Sequence, residues 1–157
     1  MQRFRGSYDV KIDDRGRIRI PVKFIHVFDS SFGREIFLTS LNGDHVILYP
    51  LKVWEEMELK FENVGAWNPD IDDFMSRLSY WGSESEIDLK GRVLIPPDLR
   101  NESQLDGSIR ILGKANHLVI WNEQVFKTKE LGDSFGKEKL HKVSNILNAI
   151  PSLPSDE

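Results

Sequence analysis

The sharpest chemical signature lies in two short runs, Asp13-Asp14-Arg15-Gly16-Arg17 and Asp88-Leu89-Lys90-Gly91-Arg92. In each, an Asp stands four residues before an Arg, with a basic residue and a Gly between them. Asp bonds its own backbone two residues on, and Gly takes a positive φ without steric cost, so Asp13, Gly16, Asp88 and Gly91 read as turn residues. A hairpin turn in which Asp caps the backbone and pairs with Arg17 or Arg92 is one reading. It leaves Arg15 and Lys90 without a task. A surface reaching for phosphate is the other, because the Arg donor fork matches phosphate oxygens.

Catalytic readings start poorly. His26, His45, His117 and His141 are scattered, with no HExxH motif, and His45 and His117 fall at equivalent positions of a repeat, which suggests a shared structural role. Asp13 and Asp88 could be imagined as an acid/base pair, yet each has basic neighbours that keep a carboxylate ionised. There is no GxSxG, P-loop or GxGxxG, and the absence of Cys removes thiolate metal sites, disulfides and thiol catalysis. We expect no enzyme, no metal, no cofactor and no small-molecule substrate.

The elements that must position the two runs form an internal repeat. IDDRGRIRIP at 12–21 returns as IDLKGRVLIP at 87–96, an offset of 75, and HVILYPLKVW at 45–54 returns as HLVIWNEQVF at 117–126, an offset of 72. Tyr8, Val10 and Ile12 alternate with polar residues, as do Ile18 and Ile20, the period of half-buried strands. Further strands are predicted at 35–39, 45–49, 85–88, 92–95, 108–113 and 117–121, with Asn42 and Gly43 in a turn. Pro21 and its counterpart Pro96 should close their strands, and Pro21 should open a helical segment through Phe24 and Phe28. Leu51, Trp54, Met57 and Phe61 predict a helix after Pro50. Ile71, Phe74, Met75 and Leu78 predict another after Asn68 and Pro69, stopping near Gly82. Leu140, Val143, Leu147 and Ile150 predict a last helix before a frayed PSLPSDE tail. These spacings divide the chain into a first unit at 1–55, a helical connector at 56–82, a second unit at 83–128 and a C-terminal segment at 129–157.

The 157 residues carry 21 basic and 25 acidic side chains, a net charge of −4 that argues against nucleic acid until it is read by segment. Residues 1 to 25 hold seven basic against three acidic groups, whereas 56 to 85 hold two against seven. Local field decides what approaches a surface. No apolar run approaches the roughly 20 residues of a membrane span, and no signal-type stretch precedes Asp9. We expect a soluble, cytoplasmic protein.

The start Phe4-Arg5-Gly6, the pair DRGRIRIP and DLKGRVLIP, and the ILYPLKVWEEM and WNEQVF blocks resemble the MraZ family of bacterial transcriptional regulators, over about residues 3 to 130. The resemblance implies a mainly β fold with helices (α+β): two tandem SpoVT/AbrB-type, swapped-hairpin β-barrel-like units. It implies a homo-oligomeric ring larger than a dimer, double-stranded promoter DNA as partner, and a nucleoid-associated role at short repeats before division and cell-wall genes. The family element falls on Asp13 with Arg17 and on Asp88 with Arg92, and its basic position on Arg15 and Lys90. An Arg four residues after the Pro is common in AbrB-type modules; Arg100 matches it, whereas the first unit has Ile25. With Arg3, Arg5 and Lys11 of the basic arm, these make the candidate DNA-binding set. The rival expectation is an antitoxin-like module whose basic turns engage an acidic protein surface.

Overall fold

A computed structural model describes residues 2–64 and 68–151. The chain separates into two compact units, Met1–Val125 and Phe126–Glu157. In the first, β1 (Phe4–Val10) and β2 (Arg17–Arg19) lead into α1 (Val22–Val27), which continues as one π-type turn through Phe32. β3 (Glu35–Thr39) and β4 (Val46–Pro50) follow, then α2 (Leu51–Val64) and α3 (Pro69–Tyr80). The second copy supplies β5 (Ser83–Glu86), β6 (Arg92–Leu94), α4 (Pro97–Glu102), β7 (Ile109–Ala115), β8 (His117–Asn122) and α5 (Glu123–Lys129). The fold is α+β, mainly β with helices, as expected.

The repeats do not fold side by side. They exchange strands. One antiparallel sheet runs β1-β7-β8-β4-β3-β5, and a two-stranded ribbon joins β2 to β6. Swapping the copies turns β1 into β5, β7 into β3 and β8 into β4, which returns the same order, so a pseudo-twofold axis crosses the sheet between Ile47 and its partner Val119. The same axis crosses the ribbon between Ile18 and Val93. β1 and β5 lie at the two edges of the sheet, so among the described residues the strands close no barrel.

Burial explains the exchange. Ile18, Ile20, Val93 and Ile95 turn inward from the ribbon and are essentially inaccessible, joined by Ile36, Leu48, Ile109, Ile111 and Ile120 from the sheet. Neither repeat alone has enough apolar surface to close over such a core, whereas two interlocked copies share one. β1 begins at Phe4, four residues before the predicted alternation, because Phe4 is buried against Phe28 at 4.8 Å and against Phe24 at 5.6 Å. Gly6 (φ +85°) breaks the side-chain period between Phe4 and Tyr8, which hid this start from pattern reading.

The helices that frame the site obey local rules. Pro21 and Pro96 cap α1 and α4 with matching backbone angles, φ −53° and −54°, ψ 141° and 139°. At α3, Asn68 Oδ1 accepts the N–H groups of Asp70 (3.0 Å) and Ile71 (3.2 Å), with Pro69 in the first turn. α2 and α3 meet through Phe61 and Phe74, 5.6 Å apart. α4 and α5 were not predicted: each is only six or seven residues long, too short to show a full apolar stripe. In the second unit, α6 (Lys137–Asn148) carries the predicted stripe of Leu140, Val143 and Leu147, all solvent-exposed. Most of the tail expected to fray, from Ser152 onward, lies outside the described residues.

Candidate nucleic-acid interface

The ribbon brings the two candidate turns to its opposite ends. The N–H of Ile95 donates to Gly16 O (2.9 Å) and the N–H of Ile20 to Gly91 O (2.8 Å), so each turn is bonded to the strand of the other repeat. Four strand positions separate them, about 13 Å at the usual rise per residue. Both turns are built alike. Asp13 Oδ1 accepts the N–H groups of Arg15 (3.0 Å) and Arg17 (2.9 Å), and its Oδ2 accepts Arg17 Nε at 2.8 Å. Asp88 repeats the pattern with Lys90 N (2.9 Å), Arg92 N (2.8 Å) and Arg92 Nε (3.0 Å). Gly16 and Gly91 take φ of +81° and +77°, the region that Gly enters without strain.

These bonds fix protonation. The backbone N–H of Arg17, and then its side chain, hold the Asp13 carboxyl below the usual carboxylate range, and Arg92 does the same for Asp88. Both stay ionised at neutral pH, and each neutralises one edge of its Arg. The outer face of the ribbon then shows Arg17, Arg19, Arg92 and Leu94, with Arg15 and Lys90 exposed at the tips. Arg19 stands directly opposite Arg92. Like charges so placed destabilise a ladder, and Asp88 offsets only the Nε edge of Arg92.

The surroundings of the two turns differ. The guanidinium of Arg100, from α4, lies where a Cβ on Gly16 would go, whereas Gly91 faces Ile25 of α1, 3.6 Å from that position. Arg34 Nη1 donates to Asp88 O (2.8 Å) and is itself held by Asp29, with Nε to Oδ1 at 2.9 Å. The first turn has Asp14 next to its capping Asp; the second has Leu89, which is 100% exposed.

The candidate set therefore falls into two groups. Arg15, Arg17, Lys90, Arg92 and Arg100 gather on the ribbon and its turns, and Lys11 borders a cleft of about 670 Å³ between the end of β1 and the ribbon. Arg5 lies six positions before Lys11, which follows the end of β1, about 20 Å away in extended chain, with Arg3 just before the strand. There Arg5 faces Lys114 across the ladder, a second opposed cation pair. Arg19, Arg34 and Lys114 were not singled out from sequence. The alternation of Arg17, Ile18 and Arg19 carried a signal for Arg19, but its repeat counterpart is Leu94, so the repeat does not mark it. No local signal ties Arg34 or Lys114 to the site: Arg34 reaches the second turn at Asp88, 54 residues on, and Lys114 faces Arg5, 109 residues back.

The histidines of the repeat hold matching structural positions. His45 Nδ1 bonds Asp44 (2.7 Å) and its ring stacks on Trp121 at 4.2 Å; His117 Nδ1 bonds Asn116 (2.9 Å) and packs on Tyr49 at 5.1 Å. Burial, and then the charge of Lys114, lower the pKa of His117. Among the described residues no group of three His, Cys, Asp or Glu side chains could hold a metal ion, and no helix is long and apolar enough to cross a membrane.

The first unit is thus an interlocked pair of β-rich repeats with a cationic ribbon strung between two Asp-capped turns. Residues 82–135 match the family described as "MraZ protein, putative antitoxin-like". A protein of Acidobacterium capsulatum named transcriptional regulator MraZ is 35% identical over 124 residues, 79% of this chain and 85% of that protein. One of the same name from Koribacter versatilis is 31% identical over 144 residues, 91% and 98% of the two chains. A third, from Histophilus somni strain 129Pt, is 31% identical over 137 residues, 83% of this chain and 90% of that protein. The chain belongs to the MraZ family.

Proposed function

We propose that this protein is a DNA-binding transcriptional regulator that lays the β2–β6 ribbon against duplex DNA, a role drawn from its relatives, which are named regulators rather than enzymes. The observation that carries the reading is the opposed pair Arg19 and Arg92, flanked by Arg17, Arg15 and Lys90 on one exposed face. Asp88 neutralises only the Nε edge of Arg92, so two like charges still stand in register and lower stability until a further anion lies between them. A phosphate supplies that anion, and the Arg fork meets its oxygens. The Asp13 and Asp88 carboxylates hold the turns open so that Arg15 and Lys90 project. Arg100 adds a cation at the first turn, while Arg3, Arg5 and Lys11 would track the backbone further along β1.

One ribbon offers few phosphate contacts. A ring of several copies would present many, so weak contacts add through effective concentration at short promoter repeats, and division and cell-wall genes are the expected target. In such a ring the units at 1–55 and 83–128 act together, with 56–82 as connector and 129–157 as an appendage, in the cytoplasm on the nucleoid. A gel shift with the DNA upstream of its own gene tests the reading. Retardation of that duplex and not of a scrambled one of equal length is expected. No retardation of either, with capture of an acidic protein partner, would favour the antitoxin-like role instead.

A further inference from the structure

Leu89 is the feature that phosphate binding leaves unused. It sits at the tip of the second turn, between Asp88 and Lys90, and no part of the fold covers it. Single exposed leucines are ordinary on protein surfaces. This one crowns a cationic turn whose backbone is pinned on both sides, because Asp88 Oδ1 accepts the N–H groups of Lys90 and Arg92. The pinned turn needs nothing from the Leu89 side chain. Its counterpart in the first turn, Asp14, is also exposed, so neither copy uses this position for folding.

The ribbon decides which groove the tip would enter. Two strands about 4.8 Å apart with their side chains are about 10 Å wide, which suits the major groove of about 12 Å and not the minor groove of about 6 Å. A leucine offers a duplex no hydrogen bond. Among the base edges of the major groove, the C5-methyl of thymine is the apolar group it can cover. Asp14 is an acceptor that suits donor edges such as cytosine N4.

Resting on the DNA reading above, we propose that Leu89 is a specificity-determining residue that packs on a thymine methyl in the major groove. The two turns then read unlike bases from like backbones. A ribbon with pseudo-twofold symmetry therefore lies on its site in one orientation only.

Replacing single thymines by deoxyuridine in the upstream duplex removes the methyl and nothing else. With the full-length protein, affinity should fall about fourfold at one or two positions, the value of one apolar carbon buried. The Leu89→Ala variant should bind the unsubstituted duplex severalfold more weakly, lose its response to those substitutions, and melt at the wild-type temperature. Wild-type affinity in this variant, or an unchanged deoxyuridine profile, overturns the thymine contact. An equal loss on every duplex marks a groove wedge or backbone contact and overturns it too. The DNA reading fails separately, when the wild-type protein shows no salt-dependent affinity for any duplex.

Discussion

The first turn, Asp13 to Arg17, and the second, Asp88 to Arg92, have the same skeleton and different faces. Asp, Gly and Arg recur with nearly equal bond lengths and φ angles. The outward positions diverge: Asp14 against Leu89, Arg19 against Leu94, Ile25 against Arg100. Each residue that forms the turn is kept in both copies. Those that differ point at solvent or lie over the glycines. Strand exchange also mixes the copies, since Arg19 stands across from Arg92 of the second turn while Arg100 covers Gly16 of the first. Each end of the ribbon is thus a composite of both repeats.

The largest expected effect separates binding from folding. Replacing Arg15 and Arg17 together by Ala should weaken DNA binding more than roughly 100-fold, from two charge-assisted contacts worth about 1.5–3 kcal/mol each. Thermal melting should move far less than binding, since the turn keeps the Arg15 and Arg17 backbone N–H groups on Asp13 when only the half-buried Arg17 side-chain pair is lost. The Lys90 and Arg92 double variant should behave the same way at the other end. Melting that falls in step with binding would make these side chains structural.

Gly16→Val and Gly91→Val attack the shared skeleton. Both should lose about 1–2 kcal/mol or more, because a side chain resists positive φ. They should differ in binding, because only the substitution at Gly16 would displace a cation, the guanidinium of Arg100. Denaturant melts alongside gel shifts would read both.

Acid probes the same skeleton. With Asp13 and Asp88 lowered in the folded state, their contribution to stability is present above the ordinary Asp pKa of about 3.9 and is lost as pH falls through the lower folded values. The double variant with Asn at both positions should melt earlier at neutral pH and show a flatter decline below about pH 4. His117 acts in a higher window. Its folded pKa is lowered, so its neutral form favours the folded state above about pH 6.5 and that advantage fades below it. A stability profile from pH 7 to 5 that loses this slope in His117→Gln would confirm the assignment; an unchanged slope would place it on other groups.

The smallest effects sharpen the comparison most. Arg19→Ala should leave stability unchanged or raise it by about 0.2–1 kcal/mol, by relieving Arg92, while still weakening binding. Ile25→Arg should make the second turn resemble the first and tighten binding a few-fold. Equal affinity for this variant and the wild type would mean that a cation over the glycine adds nothing.

Much of this was legible in the residues. The copies of DxxGR marked both turns, and the strands predicted at 35–39 and 117–121 lie close to where they were expected. Pairing was not legible, because period two says which face is buried and not which strand lies alongside. The ribbon, the opposed arginines and the Arg100 contact with Gly16 all follow from strand exchange, which joins residues some 75 positions apart. Leu89 was visible as a departure between copies, but only its full exposure shows that the fold has no use for it.

The most direct test of the central claim is the affinity of the full-length protein for its upstream duplex, measured by fluorescence anisotropy over a range of salt concentrations. Log K should fall linearly with log salt, by about 0.9 for each phosphate neutralised, and the slope should shrink in the Arg15/Arg17 and Lys90/Arg92 double variants. An affinity that does not change with salt, or a slope identical in the wild type and both variants, would contradict a ribbon that holds DNA by its phosphates.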